Sequence, residues 1–195
     1  MRTISIALCI LGVTVAAHAQ SLSKKWKEGR YYDTTGHCHA GLIYYPLPGA
    51  SLFKGKGHYL LFKRDANSDE QKIITSEISS FVLERDSFIV SHSKMIEKFP
   101  VLKVVVNNPV KLYNSLVISP GRSAHGMPEG SKGSSTYYYG TNPDDLTLIT
   151  RKNFAEAMSK IMSDKPGVIG KIEDKTFKYS TIKSLITYYL TGVLP

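Results

Sequence analysis

Three side chains able to ligate a metal stand together at His37-Cys38-His39. Imidazole and thiolate suit Zn²⁺ or copper, and a structural zinc site takes four such ligands. In an extended segment successive side chains alternate, so His37 and His39 share a face while Cys38 points away. His58, His92 and His125 are isolated in the chain. His37 and His39 are therefore the candidate metal ligands. The competing reading is a hairpin with both histidines on its exposed rim and the small Cys38 on its buried face.

Two further patterns approach nucleophile chemistry. Ser180-Thr181-Ile182-Lys183 has the S-x-x-K spacing that places a lysine one helical turn from a serine hydroxyl. Ser163-Asp164-Lys165 and Lys175-Thr176-Phe177 are imperfect versions of the supporting motifs and precede the serine rather than follow it. Ser180 as a helix N-cap accounts for the same letters. Gly121-Arg122-Ser123-Ala124-His125-Gly126 resembles a nucleophile elbow, but its second glycine is one position late for G-x-S-x-G. Gly121 and Gly126 also have P-loop spacing, with Met127 where the phosphate-binding lysine belongs.

Tyrosine is the remaining candidate chemistry. Tyr31-Tyr32, Tyr44-Tyr45, Tyr137-Tyr138-Tyr139 and Tyr188-Tyr189 supply nine of the twelve tyrosines, so the rings are clustered rather than scattered. Adjacent residues of a strand face opposite sides, and each pair is expected to bury one ring and expose the other. Exposed rings could stack on sugars or anchor a protein interface; the competing reading is β-propensity and core filling. The candidate ligand-binding residues are Tyr32, Tyr45 and Tyr138, with Arg122 and His125 from the glycine-rich stretch. No catalytic set and no cofactor are expected.

The elements that would carry these residues begin with a leader. Met1-Arg2, the uncharged apolar run Ile4–Ala17 and the small-x-small site Ala17-His18-Ala19 read as a secretory signal peptide over residues 1–19. The run is short of the roughly 20 apolar residues that span a bilayer. Cleavage would start the mature chain at Gln20 and remove Cys9, leaving Cys38 alone and no internal disulfide. The leader holds one of the 25 basic residues and none of the 16 acidic ones, so the whole-chain charge of +9 loses one unit. The basic surplus is scattered, densest at Lys24, Lys25, Lys27 and Arg30. It suits a solvated surface, or contact with anionic lipid or glycan. Nucleic acid is disfavoured by the export signal. No later segment is long and apolar enough to span a membrane, so the mature protein is expected to be periplasmic or secreted.

Residues 20–195 are expected to form one α+β domain, a mainly antiparallel sheet or open barrel with two C-terminal helices packed against it. Strands are expected at Gly29–Tyr32, Ala40–Tyr45, Tyr59–Lys63, Lys72–Ile74, Ser80–Glu84, Phe88–His92, Val101–Val106, Val110–Ile118, Tyr137–Tyr139 and Leu146–Ile149. Turn residues separate them, including Thr35-Gly36, Arg85-Asp86-Ser87 and Asn107-Asn108-Pro109. Residues 120–135 hold four glycines, two prolines and four serines, and read as a long mobile loop. Asn153 and Glu156 form a potential capping box ahead of Phe154, Ala157, Met158, Ile161 and Met162 on one helical face. Lys165-Pro166-Gly167 ends that helix. A last helix starts at Ser180, buries Ile182, Leu185, Ile186, Tyr189 and Leu190, and stops near Gly192.

This order of elements resembles a family of secreted, uncharacterised proteins of Bacteroidota, whose module occurs alone or ahead of an outer-membrane β-barrel. The likeness is carried by Gly29-Arg30-Tyr31-Tyr32 through Gly36 to Gly41-Leu42-Ile43, by Ile78–Phe81 and by Val101–Val106 running to Val110–Tyr113. It continues through Asn153-Phe154, Asp164-Lys165-Pro166, Lys171-Ile172, Phe177–Tyr179 and Ile182 to Tyr188-Tyr189. Similar proteins often have an aspartate after the glycine of the first hairpin, where this chain has His37. The resemblance implies an envelope protein and brings no catalytic residues with it. The expectation is a non-enzymatic binding or scaffold domain with an envelope protein or glycan as partner. The alternatives are a small hydrolase using the 120–135 loop and a binder of anionic glycan or lipid.

Overall fold

The computed structural model describes residues 24–46, 58–122 and 128–194, so the 1–19 leader lies outside the described residues. Ten strands form one sheet: β1 (Lys27–Asp33), β2 (Cys38–Tyr44), β3 (Tyr59–Lys63), β4 (Gln71–Ile74), β5 (Ile78–Leu83), β6 (Asp86–Val90), β7 (Val101–Val106), β8 (Lys111–Arg122), β9 (Pro128–Asn142) and β10 (Asp145–Leu148). Their spatial order is β10-β9-β8-β7-β6-β5-β1-β2-β3-β4, and every neighbouring pair is antiparallel. The α+β class stands as expected.

The link between β4 and β5 decides the shape of the sheet. Only Thr75–Glu77, a 3-10 turn, separates Ile74 from Ile78. Four steps of chain reach at most about 14 Å. The registers place Ile74 opposite Tyr59, and Phe62 opposite Ile43, which in turn faces Lys27; Ile78 lies opposite Asp33. Laid flat, Ile74 and Ile78 would stand four strands apart, about 19 Å, and be offset along the strands by about 30 Å. A tilted, rolled sheet removes that gap, as strand stagger does in barrels. The turn itself closes the roll: Thr75 N–H donates to the His58 carbonyl (3.0 Å), and Thr34 N–H donates to the Glu77 carbonyl (3.2 Å).

Inside the roll Tyr31, Ile43, Leu60, Phe62, Ile78, Phe81 and Leu83 form one buried cluster. Its tightness requires bare backbone where β1, β2 and β5 meet. Gly29 faces Gly41 in register, and a Cβ on Gly41 would overlap the Lys63 carbonyl and lie 2.8 Å from the Phe62 ring.

Residues 120–122 and 128–135, expected in a loop, are instead strand. Ser115–Arg122 pairs with Pro128–Thr136, while β7 reaches only Leu112–Asn114 and β10 only Tyr138–Asn142. The outer part of β8 and β9 is thus a two-stranded ribbon extending past its neighbours. Residues 120–135 hold four glycines and four serines, which is why this stretch reads as a loop in the sequence.

Three helices follow: α1 (Phe154–Ile161), α2 (Pro166–Glu173) and α3 (Ile182–Thr191). Phe154, Ala157, Met158 and Ile161 of α1 and Ile182, Leu185, Ile186 and Tyr189 of α3 bury their faces with Val168 and Ile172 of α2. All pack with Val106, Leu112 and Ile149 of the sheet region. Pro166 starts α2 rather than only ending α1, because the first helical position needs no N–H donor. The expected capping box does not form. Asn153 Oδ1 accepts from Thr150 N–H (2.7 Å), and Glu156 pairs with Lys160 at 2.6 Å. A 3-10 turn over Tyr179–Thr181 precedes α3, and Thr181, not Ser180, is its N-cap. Gly192 ends α3 at φ +75°, as anticipated, while Leu190, expected in the core, is exposed. Asn108, in the β7–β8 turn, ties helices to sheet: its Nδ2 lies 2.8 Å from the Ile161 carbonyl, 2.7 Å from Asp164 Oδ1 and 2.9 Å from Tyr189 Oη.

Gly41→Ala is expected to destabilise the fold by about 1–3 kcal/mol through overpacking. Denaturant unfolding against wild type measures this; an unchanged midpoint would contradict the close approach.

Candidate binding pocket

The strand registers gather one face of six strands into a concave surface. Lys27 of β1 faces Ile43 of β2, Leu83 of β5 faces Asp86 of β6, Phe88 faces Lys103 of β7, and Lys103 faces Asn114 of β8. These residues, with Tyr45, Val101 and Leu116, line a pocket of about 360 Å³ beside the roll, and Lys25 and Tyr44 contribute at its margin. β2 and β8 are five strands apart in the order, about 24 Å if the sheet were flat. Curling brings both to one small cavity.

Aromatic packing builds the floor. Phe81 stacks on Phe88 with centroids 4.7 Å apart, and Tyr45 meets Phe81 at 5.1 Å and Phe88 at 5.9 Å. Burial pushes the Tyr45 phenol well above its ordinary range, so the hydroxyl stays protonated. The margin is basic. Lys103 Nζ lies 2.7 Å from Asp86 Oδ2, and Lys27 Nζ lies 2.8 Å from Glu84 Oε2. Both pairs are solvent-exposed, and such pairs are weak enough for the lysines to change partner. Lys25 has no ion pair among the described residues. The segment carrying it is held by Lys24 on Glu70 (2.6 Å) and by Trp26, which lies 6.3 Å from Tyr44 and beneath Lys63 Nζ.

Among the candidate ligand residues that are described, Tyr45 lines this pocket. Tyr32 is half-buried and paired with Ser80 and Cys38, one position out of phase with the Tyr31 face. Tyr138 is buried with Leu102, Tyr113 and Leu146 in a separate cluster. Arg122 ends β8 opposite Pro128, and His125 lies outside the described residues. The structure does not bring Tyr32, Tyr45 and Tyr138 together. The tyrosine pairs follow alternation only in part. Tyr31, Tyr138 and Tyr189 are buried, but their neighbours Tyr32, Tyr137, Tyr139 and Tyr188 are half-buried rather than exposed.

His37 and His39 converge on Asp33 in the β1–β2 hairpin. Asp33 Oδ2 lies 3.6 Å from His37 Nδ1 and 3.2 Å from His39 Nε2. Asp33 Oδ1 accepts from Thr35 Oγ1 (2.6 Å), Thr35 N–H (2.9 Å) and His37 N–H (2.9 Å). The Thr35 hydroxyl foremost, with His39 and these amides, holds the Asp33 carboxyl well below the usual carboxylate range. This carboxylate is the hub of a turn. Among the described residues no three His, Cys, Asp or Glu side chains are placed to hold a metal ion. Cys38, expected on the buried face, is exposed. The buried side of the hairpin is taken by Tyr31, on which the His39 ring stacks at 4.6 Å.

Sequence reasoning missed Lys25, Lys27, Phe88, Lys103 and Asn114. The alternation of each strand marks their faces, but only the insertion of β1 between β5 and β2 shows which faces meet. Searches against protein-family models, curated proteins and solved structures return no match for this chain.

The Asp33 turn generates a pH prediction. Because the folded carboxyl is depressed, its stabilisation is present above the unfolded pKa near 3.9 and is lost as pH falls through the folded value. Asp33→Asn is expected to lower the melting temperature at pH 7, with the gap to wild type closing toward pH 2. A gap that persists in acid would contradict the assignment.

Proposed function

We propose that the chain is an exported envelope protein that binds a small ligand in this concave pocket without transforming it. The pocket carries the reading: about 360 Å³ falls within the roughly 300–1,000 Å³ of small-molecule sites, and its lining is largely apolar with a few placed polar groups. The charge-free run before Ala19 supports export. Among the described residues no helix is long and apolar enough to cross a membrane. The half-buried state of the tyrosine neighbours leaves little aromatic surface for stacking on a sugar, so a ligand inside the pocket is favoured over a glycan laid across the sheet.

Protein recovered from a periplasmic extract is expected to begin at Gln20 by mass. It is expected to bind the neutral fluorescent probe 1-N-phenylnaphthylamine at one saturable site. Asn114→Trp, which fills the pocket from its margin, is expected to abolish that binding while leaving the thermal transition in place. No saturable binding, or unchanged binding in folded Asn114→Trp, would overturn the pocket as a ligand site.

A further inference from the structure

We propose that the ligand is a single-chain amphipathic anion: an apolar chain that lies over Phe88, Leu83 and Val101, with a carboxylate head held by Lys25, Lys27 and Lys103. This rests on the reading of the pocket as a ligand site and adds the chemistry of its occupant.

Three observations converge on that class. The first is the division of the lining. Ile43, Leu83, Phe88, Val101 and Leu116 supply an aliphatic and aromatic floor, which suits a methylene chain and offers no base- or sugar-specific set of donors and acceptors. The second is charge. Three ammonium groups line the cavity; Asp86 pairs with Lys103 and Glu84, outside the lining, pairs with Lys27, which leaves one positive charge in excess. A cationic head would be repelled there, and a neutral one would leave the lysines to water.

The third observation is the position of Lys103. It stands in register between Phe88 and Asn114, within the apolar face rather than at the edge of the sheet. Asp86, at 2.7 Å, neutralises its charge. An anionic head beside Lys103 would add a second acceptor and recruit Lys25, which has no ion pair among the described residues. Charge-assisted bonds of this kind are roughly twice as strong as neutral ones. The volume limits the apolar part to one chain of moderate length, so the occupant is a free single-chain anion and not a two-chain lipid drawn from a bilayer.

Displacement of 1-N-phenylnaphthylamine from the full mature protein tests this, with Trp26, the single tryptophan, as an independent fluorescence reporter beside the site. The competitors are dodecanoate, dodecyltrimethylammonium and the neutral octaethylene glycol dodecyl ether, all below their micelle concentrations. Dodecanoate is expected to bind at least about tenfold more tightly than the cationic chain, the scale of one charged hydrogen bond. Its affinity is expected to weaken as salt rises, while that of the neutral probe does not. Lys103→Met, which keeps the stem and removes the charge, is expected to weaken dodecanoate by about tenfold and leave the probe within about twofold.

Equal affinities for the three heads would overturn the proposal, as would an unaffected Lys103→Met. So would displacement by phosphatidylglycerol vesicles alone, which would make this face a membrane contact. Failure of the probe itself to bind defeats the pocket reading. Probe binding without head-group preference defeats only the assignment of the anion.

Discussion

The three-residue connection between β4 and β5 is the constraint from which the rest of the architecture follows. Because β1 is inserted between β5 and β2, the chain must return from the sheet edge to its middle within four peptide steps. A flat sheet cannot allow this. Rolling and staggering the strands satisfies it and creates an interior that aromatic and branched side chains fill. The same roll turns the adjoining faces of β6, β7 and β8 toward β2, and the pocket is the space left between them. Fold and candidate site are therefore consequences of one short link. Gly29 and Gly41 provide the close approach that the roll needs.

The helical end is attached by different physics. Its apolar faces supply the bulk of the contact, and the polar group around Asn108 sets the register between helices and sheet. Tyr189 Oη donates to Asp164 at 2.9 Å, and Lys165 Nζ donates to the Tyr189 carbonyl at 2.6 Å with its charge over the Tyr189 ring. One turn amide and one phenol thus join α1, the α1–α2 link and α3 to the β7–β8 hairpin. Such a network specifies an arrangement that hydrophobic burial alone would leave open.

All ten strands were legible in the sequence, because β-branched and aromatic runs are separated by turn residues such as Thr35-Gly36 and Asn107-Asn108-Pro109. The errors have distinct physical sources. The outer β8–β9 ribbon is rich in glycine, serine and proline over 120–135, so composition alone reads it as a loop, although its two strands pair with each other. Helix α2 carries only Val168 and Ile172 as buried contacts and contains two glycines, too weak a period to read. Asn153 spends its side chain on Thr150 rather than on the helix, which no local pattern foretells. The pocket was illegible for a deeper reason. Lys27, Leu83, Phe88, Lys103 and Asn114 are ordinary strand residues one by one, and they become a site only through a non-sequential strand order.

Binding of an apolar chain with an anionic head to this curled face is read residue by residue in amide chemical shifts. Titration of the ¹⁵N-labelled protein with dodecanoate is predicted to shift Ile43, Tyr45, Leu83, Phe88, Lys103 and Asn114 along one saturable curve. The helices and the part of the β8–β9 ribbon beyond Leu116 should stay in place. Shifts centred on the helices or the ribbon, or scattered without saturation, would contradict it.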